Sequence, residues 1–341
     1  MKFNYVILDS NGIYNKVMFH DVLNLDNVNY IPLDLYAGVP KLLRPLVKIH
    51  ISAKLNHYIK IPFKFYWLKR LLSGIQFNDN KPICFILTRA WLEMGYNIGL
   101  LDYLKQHYSN AQFVLYLIDL FRTYRTMYYS NIKSFTLDAF RKDFDLIISY
   151  DKDESRNYGF SYYPDTYSRF EIQAKGRHFS EIDVFFCGRA KDRLSFILNI
   201  AEELNAHGFK IHFCIAGVSL DSRQSIPGVY YINMLMSYWD YLLCVQQSKC
   251  ILEIMQNGAS GYTLRAIEAI CYNKMLLTNN RNISSIKFYH SDYISIIDQS
   301  EESIIDLSFL KKIKNNTNVD YHYDGSFSPI YLLKYIESVL Q

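Results

Sequence analysis

The chain is poor in residues that interrupt regular structure, since its 341 residues include only 14 glycines and 8 prolines. With 50% hydrophobic and 21% charged residues, its composition excludes a disordered chain and a collagen-like repeat. The six cysteines lie in apolar runs and none forms a C-x-x-C pair, so we expect buried thiols and no zinc centre. No signal peptide and no apolar stretch long enough to span a bilayer is recognisable. We therefore expect a soluble protein of a reducing cytoplasm.

Acidic residues are lacking between Asp34 and Asp79, and the same stretch holds eight basic residues interleaved with leucines and aromatic rings. The basic residues are Lys41, Arg44, Lys48, Lys54, Lys60, Lys64, Lys69 and Arg70. Such a segment suits anionic lipid, because rings enter the headgroup layer while ammonium groups remain near phosphate. The segment from Tyr36 to Phe77 therefore predicts contact with an anionic membrane surface. Ordinary amphipathic helices with solvated lysines are the alternative. No nucleic-acid motif accompanies the segment, so no nucleic-acid partner is expected.

Short apolar runs rich in valine, isoleucine and phenylalanine alternate with helical patterns along both halves of the chain. This alternation is typical of parallel sheets with helices on both faces. We predict an α/β protein of two Rossmann-like domains that face each other across a cleft. Their predicted bounds are 1–160 and 161–341, with a hinge near 155–182 and the last helix packing back on the first domain. Ligands of such sheets bind beyond the carboxyl ends of the strands.

The segment from Cys250 to Asn280 combines a strand, a glycine-containing loop and a helix start. Glycine allows close backbone approach, and the first amides of a helix are unpaired donors at the positive end of its dipole. Thr263 adds a hydroxyl and Arg265 a cation, which suits a diphosphate, and Glu268 could accept hydrogen bonds from a ribose diol. On spacing alone, a surface ion pair between Arg265 and Glu268 is the better explanation.

This segment resembles the donor-binding stretch of GT-B glycosyltransferases, especially bacterial enzymes of lipopolysaccharide and capsular polysaccharide biosynthesis. The family pattern is met at Glu253, Gln256, Gly258, Gly261, Thr263, Arg265, Glu268, Lys274, Thr278 and Asn279. The resemblance implies a diphosphate site at Gly261, Thr263, the Leu264 amide and Arg265, with Glu268 on the ribose. Widespread retaining families carry a second glutamate eight residues earlier, where this chain has Ser260. The resemblance therefore does not imply retention.

A second basic turn follows the run from Phe185 to Gly188. Arg189, Lys191 and Arg193 stand at a helix start, where cations oppose the helix dipole and need a stabiliser such as bound pyrophosphate. The stretch resembles the first strand–loop–helix of the GT-B C-terminal domain. This implies that Gly188 and the three cations line the diphosphate. A solvated basic turn is the alternative.

The base of the nucleotide is expected between these two segments. Backbone groups near Asn233–Leu235 could read a uracil or guanine edge, so the donor would be UDP- or GDP-linked. Met234 and Tyr238 could pack on the face of the base, although core packing is the alternative for Met234.

An inverting transfer needs a carboxylate or histidine that deprotonates the acceptor hydroxyl. Candidates in the first half are Asp9, Asp119, Asp151 and His20. Asp119 ranks first and Asp9 second, although a turn or capping role is the better explanation for each of them taken singly. Arg122 and Arg125 could lower the pKa of Asp119, which would weaken it as a base.

Taken with the resemblance, these patterns imply a transferase, most simply a hexosyltransferase, that uses no cofactor. Its expected acceptor is a lipid-linked or growing surface glycan, and its expected location is the inner face of the bacterial plasma membrane, as a peripheral protein. Two D-x-D runs, Asp143–Asp145 and Asp151–Asp153, are interpreted as strand-edge carboxylates, so metal-independent transfer is expected. The alternatives are a non-catalytic nucleotide- or glycan-binding module and a sugar-nucleotide 2-epimerase.

Overall fold

The computed structural model of the chain consists of two compact units, each built around its own sheet. One unit is Met1–Ser168 with Ser328–Gln341, and the other is Arg169–Phe327. The structure describes residues 1–59, 61–92, 98–121, 123, 137–172, 181–234, 236–255, 261–298, 305–315 and 318–340.

The sheet of the first unit has six parallel strands in the order β2-β1-β3-β4-β5-β6. Its strands are β1 (Asn4–Asp9), β2 (Val28–Pro32), β3 (Ile83–Leu87), β4 (Gln112–Leu117), β5 (Leu146–Ser149) and β6 (Ser161–Tyr162). Its helices are α1 (Ile13–Met18), α2 (Arg44–Ile51), α3 (Ala53–Tyr58), α4 (Phe65–Leu71), α5 (Leu100–His107), α6 (Leu137–Asp143), α7 (Lys152–Tyr158) and, at the end of the chain, α12 (Pro329–Val339). Because β2 and β3 lie on opposite sides of β1, the strand order reverses between β1 and β3.

Strand β1 shows why this sheet is buried on both faces. All six of its residues are buried, and consecutive side chains point to opposite faces. Val6 and Leu8 join a core with Val47, Trp67 and Leu104 from the helices on one face. The other face of β1 packs in a second core with side chains of α1 and α12, namely Met18, Leu332, Leu333 and Ile336.

The last helix, α12, is part of the first unit. Ser328 is its N-cap and Pro329 occupies the first turn, where a missing amide hydrogen costs nothing. The Tyr5 hydroxyl donates a hydrogen bond to the Leu333 carbonyl at 3.1 Å, so β1 and α12 are joined by polar as well as apolar contact. The chain therefore returns to its first sheet before it ends.

The sheet of the second unit also has six parallel strands, in the order β12-β11-β10-β7-β8-β9. Its strands are β7 (Ile182–Arg189), β8 (Ile211–Ala216), β9 (Val229–Ile232), β10 (Ser248–Glu253), β11 (Met275–Thr278) and β12 (Ile294–Ile296). Its helices are α8 (Leu194–Ala206), α9 (Tyr238–Gln247), α10 (Leu264–Cys271) and α11 (Leu307–Lys314). The two parallel sheets with their helices confirm the predicted α/β class with two Rossmann-like domains.

All six cysteines are buried free thiols, as the apolar runs around them predicted. Within the described ranges, every helix is too short or too polar to cross a bilayer.

Candidate functional site

The order of the strands in the second unit reverses between β7 and β10. The chain passes from β7 through β8 to β9 on one side and then returns to β10 on the other side of β7. Ligands of open parallel sheets bind in the crevice beyond the carboxyl ends of two such strands. The predicted basic turn after β7 and the predicted helix start after β10 therefore lie at the same crevice. Gln256, Gly258 and Ser260 lie outside the described residues.

Arg265 is the main cation of this crevice. It lies in the first turn of α10, and its guanidinium donates a hydrogen bond to the Cys187 carbonyl and lies 5.6 Å from the centre of the Phe186 ring. Its Nε is buried and has no hydrogen-bond partner among the residues that the structure describes. Arg265 forms no salt bridge with any residue that the structure describes. A half-buried cation with a donor that no described residue uses is well suited to bind an anion.

Arg193 is the second cation at this point, and it has a different role. Its guanidinium donates to the backbone carbonyls of Arg189 at 2.6 Å, of Ala190 at 3.4 Å and of Ile254. It therefore ties the turn after β7 to the end of β10. Burial lowers the pKa of Arg193, and the neighbouring charge of Arg265 lowers it further. Two neighbouring positive charges favour the binding of an anion between or beside them.

The other two predicted cations, Arg189 and Lys191, are exposed beside Arg193. Lys191 has a left-handed backbone (φ 49°), which keeps the turn tight as it enters α8. Both side chains remain accessible to a ligand at the turn.

Gly188 leaves space for the Arg265 guanidinium beside β7. A Cβ placed on Gly188 would lie 2.8 Å from Nη2 of Arg265 and 3.3 Å from the Phe186 ring. We expect Gly188→Ala to displace the guanidinium and to lower the affinity for UDP about ten-fold, with little loss of stability because a flexible side-chain end can move. Calorimetric titration with UDP measures this effect. Gly74→Ala is the control, since nothing lies within 4 Å of its added Cβ; equal UDP affinity in both variants would contradict the expectation.

Glu253 fixes the start of α10 and was matched by the sequence pattern without being given a role. The hydroxyls of Thr263 and Thr278 both donate to its carboxylate, which is fully buried, and burial raises its pKa. Thr263 is the N-cap of α10 and accepts a hydrogen bond from the Arg265 amide at 3.2 Å. The hydroxyl proton of Thr263 is therefore directed to Glu253, and its contribution to phosphate binding stays a prediction. The Gly261 carbonyl accepts a hydrogen bond from the side chain of Asn280, which ties the residues before α10 to the end of β11.

Glu268 is fully buried and does not form the surface ion pair with Arg265 that spacing alone favoured. Its two carboxylate oxygens accept hydrogen bonds from the hydroxyls of Tyr238, at 2.7 Å, and Tyr241. Burial raises the pKa of Glu268 to about 7, although the two tyrosine hydroxyls and the charge of Arg265 oppose this rise. Each oxygen of Glu268 thus already accepts one hydrogen bond, and its binding of a ribose diol stays a prediction.

The residues predicted for the base differ in their surroundings. The Tyr238 ring stacks on the Tyr241 ring with centres 5.6 Å apart. Met234 has an exposed fraction of 83%, so its alternative assignment to the core is wrong. Leu235 lies outside the described residues. An exposed methionine and a half-buried tyrosine leave apolar surface for a base, and the assignment of both to base binding stays a prediction.

In the first unit, Asp9 lies where the strand order reverses. Its buried carboxylate accepts hydrogen bonds from the Ser10 amide at 2.7 Å, from Asn15 Nδ2 at 3.0 Å and from the hydroxyls of Thr88 and Tyr30. Burial raises the pKa of Asp9, and these hydrogen bonds oppose the rise. Asp9 thus joins the end of β1 to the residue that follows β3.

The other candidate bases of the first unit lie away from this reversal of the strand order. Asp119 follows β4, is half-buried and accepts the Leu120 amide at 2.9 Å through Oδ1. Arg122 and Arg125 lie outside the described residues. Asp151 caps α7 by accepting the Glu154 amide at 2.9 Å. His20 is exposed at the start of a 3-10 turn.

Comparison with solved structures identifies the architecture. The chain is similar to Anabaena HepE in complex with UDP-glucose (TM-score 0.55, 9% identity, 98% of each chain). It is also similar to HepE in complex with UDP (TM-score 0.52, 10% identity, 99% of each chain) and to sucrose-phosphate synthase from Thermosynechococcus elongatus (TM-score 0.50, 10% identity, 99% and 96%). The fold is GT-B. No family model and no curated protein matches the sequence.

The D-x-D runs of this GT-B chain hold strands and helices in place. Asp145 accepts the Phe113 amide at 2.7 Å, and Asp143 pairs with Lys105 at 3.2 Å. Asp151 is the N-cap of α7. Over the part of the chain that the structure describes, no group of three or more histidine, cysteine or acidic side chains is placed to hold a metal ion.

Proposed function

We propose that the chain is a glycosyltransferase that takes a sugar from a UDP- or GDP-linked donor and binds that donor at the crevice between β7 and β10. The observation that carries the proposal is Arg265, a half-buried cation whose Nε donor is not used by any described residue, held beside Gly188 and Arg193 at the point where the strand order reverses. The likeness to HepE, whose structures contain UDP and UDP-glucose, supports a nucleotide-sugar donor.

The proposed chemistry follows from the charge that develops on the donor. When the bond between the sugar carbon and the phosphate oxygen breaks, negative charge grows on the leaving diphosphate. Arg265, Arg189 and Lys191 supply positive charge there, and the N-terminus of α10 adds the positive end of its dipole. In this proposal these groups stabilise the leaving diphosphate without a divalent metal.

The acceptor hydroxyl must lose its proton as the new bond forms. We keep Asp119 as the first candidate base and Asp9 as the second. One carboxylate oxygen of Asp119 accepts the Leu120 amide, while Asp9 accepts hydrogen bonds from four groups and is fully buried. The acceptor is a lipid-linked or growing surface glycan in this proposal. The site of action is the inner face of the bacterial plasma membrane.

The two aspartates should respond differently to replacement by asparagine. We expect Asp119→Asn to lower the transfer rate at least 100-fold, since general base catalysis contributes about 10²–10⁴-fold, and to leave the melting temperature unchanged. Asp9→Asn should lower the melting temperature, because an amide cannot accept from all four donors. Transfer assays and thermal melts on both variants separate the roles. A fully active Asp119→Asn protein would remove Asp119 from the mechanism.

A panel of nucleotide sugars tests the proposed activity. Each is incubated with the protein, with and without EDTA, and products are followed by mass spectrometry. Transfer to an acceptor, or slow release of free sugar, is the expected result, and it should persist in EDTA. Binding without turnover would support a non-catalytic module, and an altered nucleotide sugar without an acceptor would support a 2-epimerase. Loss of activity in EDTA that manganese restores would overturn metal independence.

A further inference from the structure

Exposed apolar side chains are concentrated in one short part of the first unit. Of the 20 large hydrophobic residues that are exposed among the described residues, ten lie between positions 42 and 66. They are Leu42, Leu43, Leu46, Ile49, Leu55, Tyr58, Ile59, Phe63, Phe65 and Tyr66. Together with the exposed basic residues Lys41, Arg44, Lys48, Lys54 and Lys69 we call them the α2–α4 surface. A concentration of exposed apolar side chains in one part of a protein marks an interaction site.

The α2–α4 surface is anchored to the core from beneath. Val47, Trp67 and Leu68 of these helices are buried in the core on the α5 side of the sheet. The Trp67 ring nitrogen donates a hydrogen bond to His50 Nδ1 at 2.5 Å, which ties α4 to α2. Leu42 and Phe63 nevertheless have exposed fractions of 88% and 69%. Helices α2–α4 and the residues between them thus bury one set of apolar side chains in the core and expose a second set to solvent.

The charge of this surface identifies the kind of partner. Lys41, Arg44, Lys48, Lys54 and Lys69 are exposed, and the structure as described gives none of them an ion pair. The sequence supplies no acidic residue between Asp34 and Asp79. A second copy of this surface would bring like charges together, whereas an anionic bilayer offers phosphate to the cations and an apolar layer beneath it.

The backbone of Phe63 gives independent evidence that the exposed rings have a function. Its backbone is left-handed, with φ 63°, a conformation that disfavours bulky side chains and suits glycine. Its ring lies 6.4 Å from the Phe65 ring, and both rings are exposed. The fold therefore keeps an unfavourable backbone at a residue whose side chain adds little to the core. Such outliers point to function.

We propose that the α2–α4 surface inserts its apolar side chains into the headgroup and upper acyl region of an anionic bilayer, with the surrounding cations at the lipid phosphates. The inference deepens the proposed function and rests on it, because a lipid-linked acceptor has to be reached at a bilayer. The sequence-based expectation already placed rings in the headgroup layer, and the structure adds which apolar side chains of this surface are exposed and able to reach the upper acyl region. Charge brings the surface to the membrane, and apolar insertion holds it there when salt screens the charge.

Vesicle binding tests the proposal on the full chain. The probes are phosphatidylcholine vesicles with and without phosphatidylglycerol, at low and high sodium chloride. We expect tight binding to the anionic vesicles, partial retention at high salt and weak binding to the neutral ones. In a Phe63→Trp variant, brominated lipids should quench the new fluorescence more than that of the parent, whose Trp67 and Trp91 are buried and whose exposed Trp239 belongs to the second unit.

Two triple variants with matched chemistry isolate the apolar contribution. Leu42→Ser, Phe63→Ser and Tyr66→Ser together should lower the vesicle partition coefficient about 100-fold or more and make the remaining binding fully salt-reversible. Leu220→Ser, Tyr230→Ser and Leu307→Ser remove comparably exposed side chains from the second unit and should change nothing. Phe63→Gly should raise the melting temperature while lowering vesicle binding, because glycine relieves the left-handed backbone.

Three outcomes would overturn the inference. Absence of binding to any vesicle would return the segment to solvated helices. Binding of the first triple variant with the parent's salt dependence would show adsorption by charge alone. Concentration-dependent dimers in analytical ultracentrifugation that this variant abolishes would assign the surface to a second copy. UDP titration of the same samples reports the donor site separately, so failure of the membrane proposal and failure of the proposed function are distinguishable.

Discussion

Arg265→Ala is expected to weaken the binding of UDP by ten-fold or more and to leave the binding of uridine nearly unchanged. A charge-assisted hydrogen bond to phosphate contributes about 1.5–3 kcal/mol, and the half-buried guanidinium forms no salt bridge with any described residue that would compete for it. The nucleoside has no phosphate, so it should be indifferent to the change. Isothermal titration calorimetry with both ligands measures the difference. If GDP is the natural nucleotide, the same contrast should appear between GDP and guanosine.

Two further variants make the Arg265 result specific. Arg265→Lys keeps the charge but loses the planar array of donors, so UDP affinity should lie between those of the parent and the alanine variant. Arg281→Ala removes an exposed arginine of the same unit, paired with Asp298, and should bind UDP like the parent. Equal UDP affinity in the Arg265→Ala and Arg281→Ala proteins would show that the diphosphate binds elsewhere.

The second large effect concerns stability: the buried Glu268 is expected to lower the free energy of unfolding in a pH-dependent way. Its pKa is about 7 in the folded chain against 4.5 for an ordinary glutamate. Between these values the folded state keeps a proton that the unfolded state has lost, so the free energy of unfolding falls as pH rises from about 4.5 to about 7. The shift corresponds to about 3 kcal/mol, at about 1.4 kcal/mol for each pH unit.

Glu268→Gln should remove most of this dependence. The amide is neutral at every pH and can still accept a hydrogen bond from Tyr238 or Tyr241. The stability of the variant relative to the parent should therefore increase between pH 5 and pH 8, by up to about 3 kcal/mol. Urea unfolding of both proteins at the two pH values measures the difference. Glu202→Gln removes an exposed glutamate on α8 and is the control for the loss of one charge. A parent–variant difference that is the same at both pH values would mean that Glu268 is ionised throughout.

The sequence predicted the central strands because their apolar runs are continuous. The runs ICFIL and QFVLYL became β3 and β4, which are buried on both faces. Strand β2 was not predicted, since VNYIP ends in proline and all of its residues but Val28 are only partly buried. It lies at the edge of the sheet, where one side needs no partner and the hydrophobic signal is weak.

The sequence predicted the helix start after β10 and the basic turn after β7, but not the hydrogen bonds of the side chains around them. Glycine, threonine and arginine after β10 indicated a helix start that suits an anion, and the strand order places it beside the turn after β7. Spacing along the chain could not reveal that Tyr238 and Tyr241 donate hydrogen bonds to Glu268, because α9 and α10 are brought together only in the folded chain. The same holds for Thr88, whose hydroxyl reaches Asp9 across 79 residues of chain.

Hydrogen exchange with and without UDP tests the central claim, a nucleoside-diphosphate site at the crevice between β7 and β10, most directly. The parent protein is exchanged in deuterated buffer with saturating UDP, with GDP and with neither, and peptides are read by mass spectrometry. One of the nucleotides is expected to slow exchange at residues 188–193 and 261–266 together, and to leave residues 41–72 unchanged. Saturating binding that protects neither of the first two segments, or that protects only the first unit, would contradict the account.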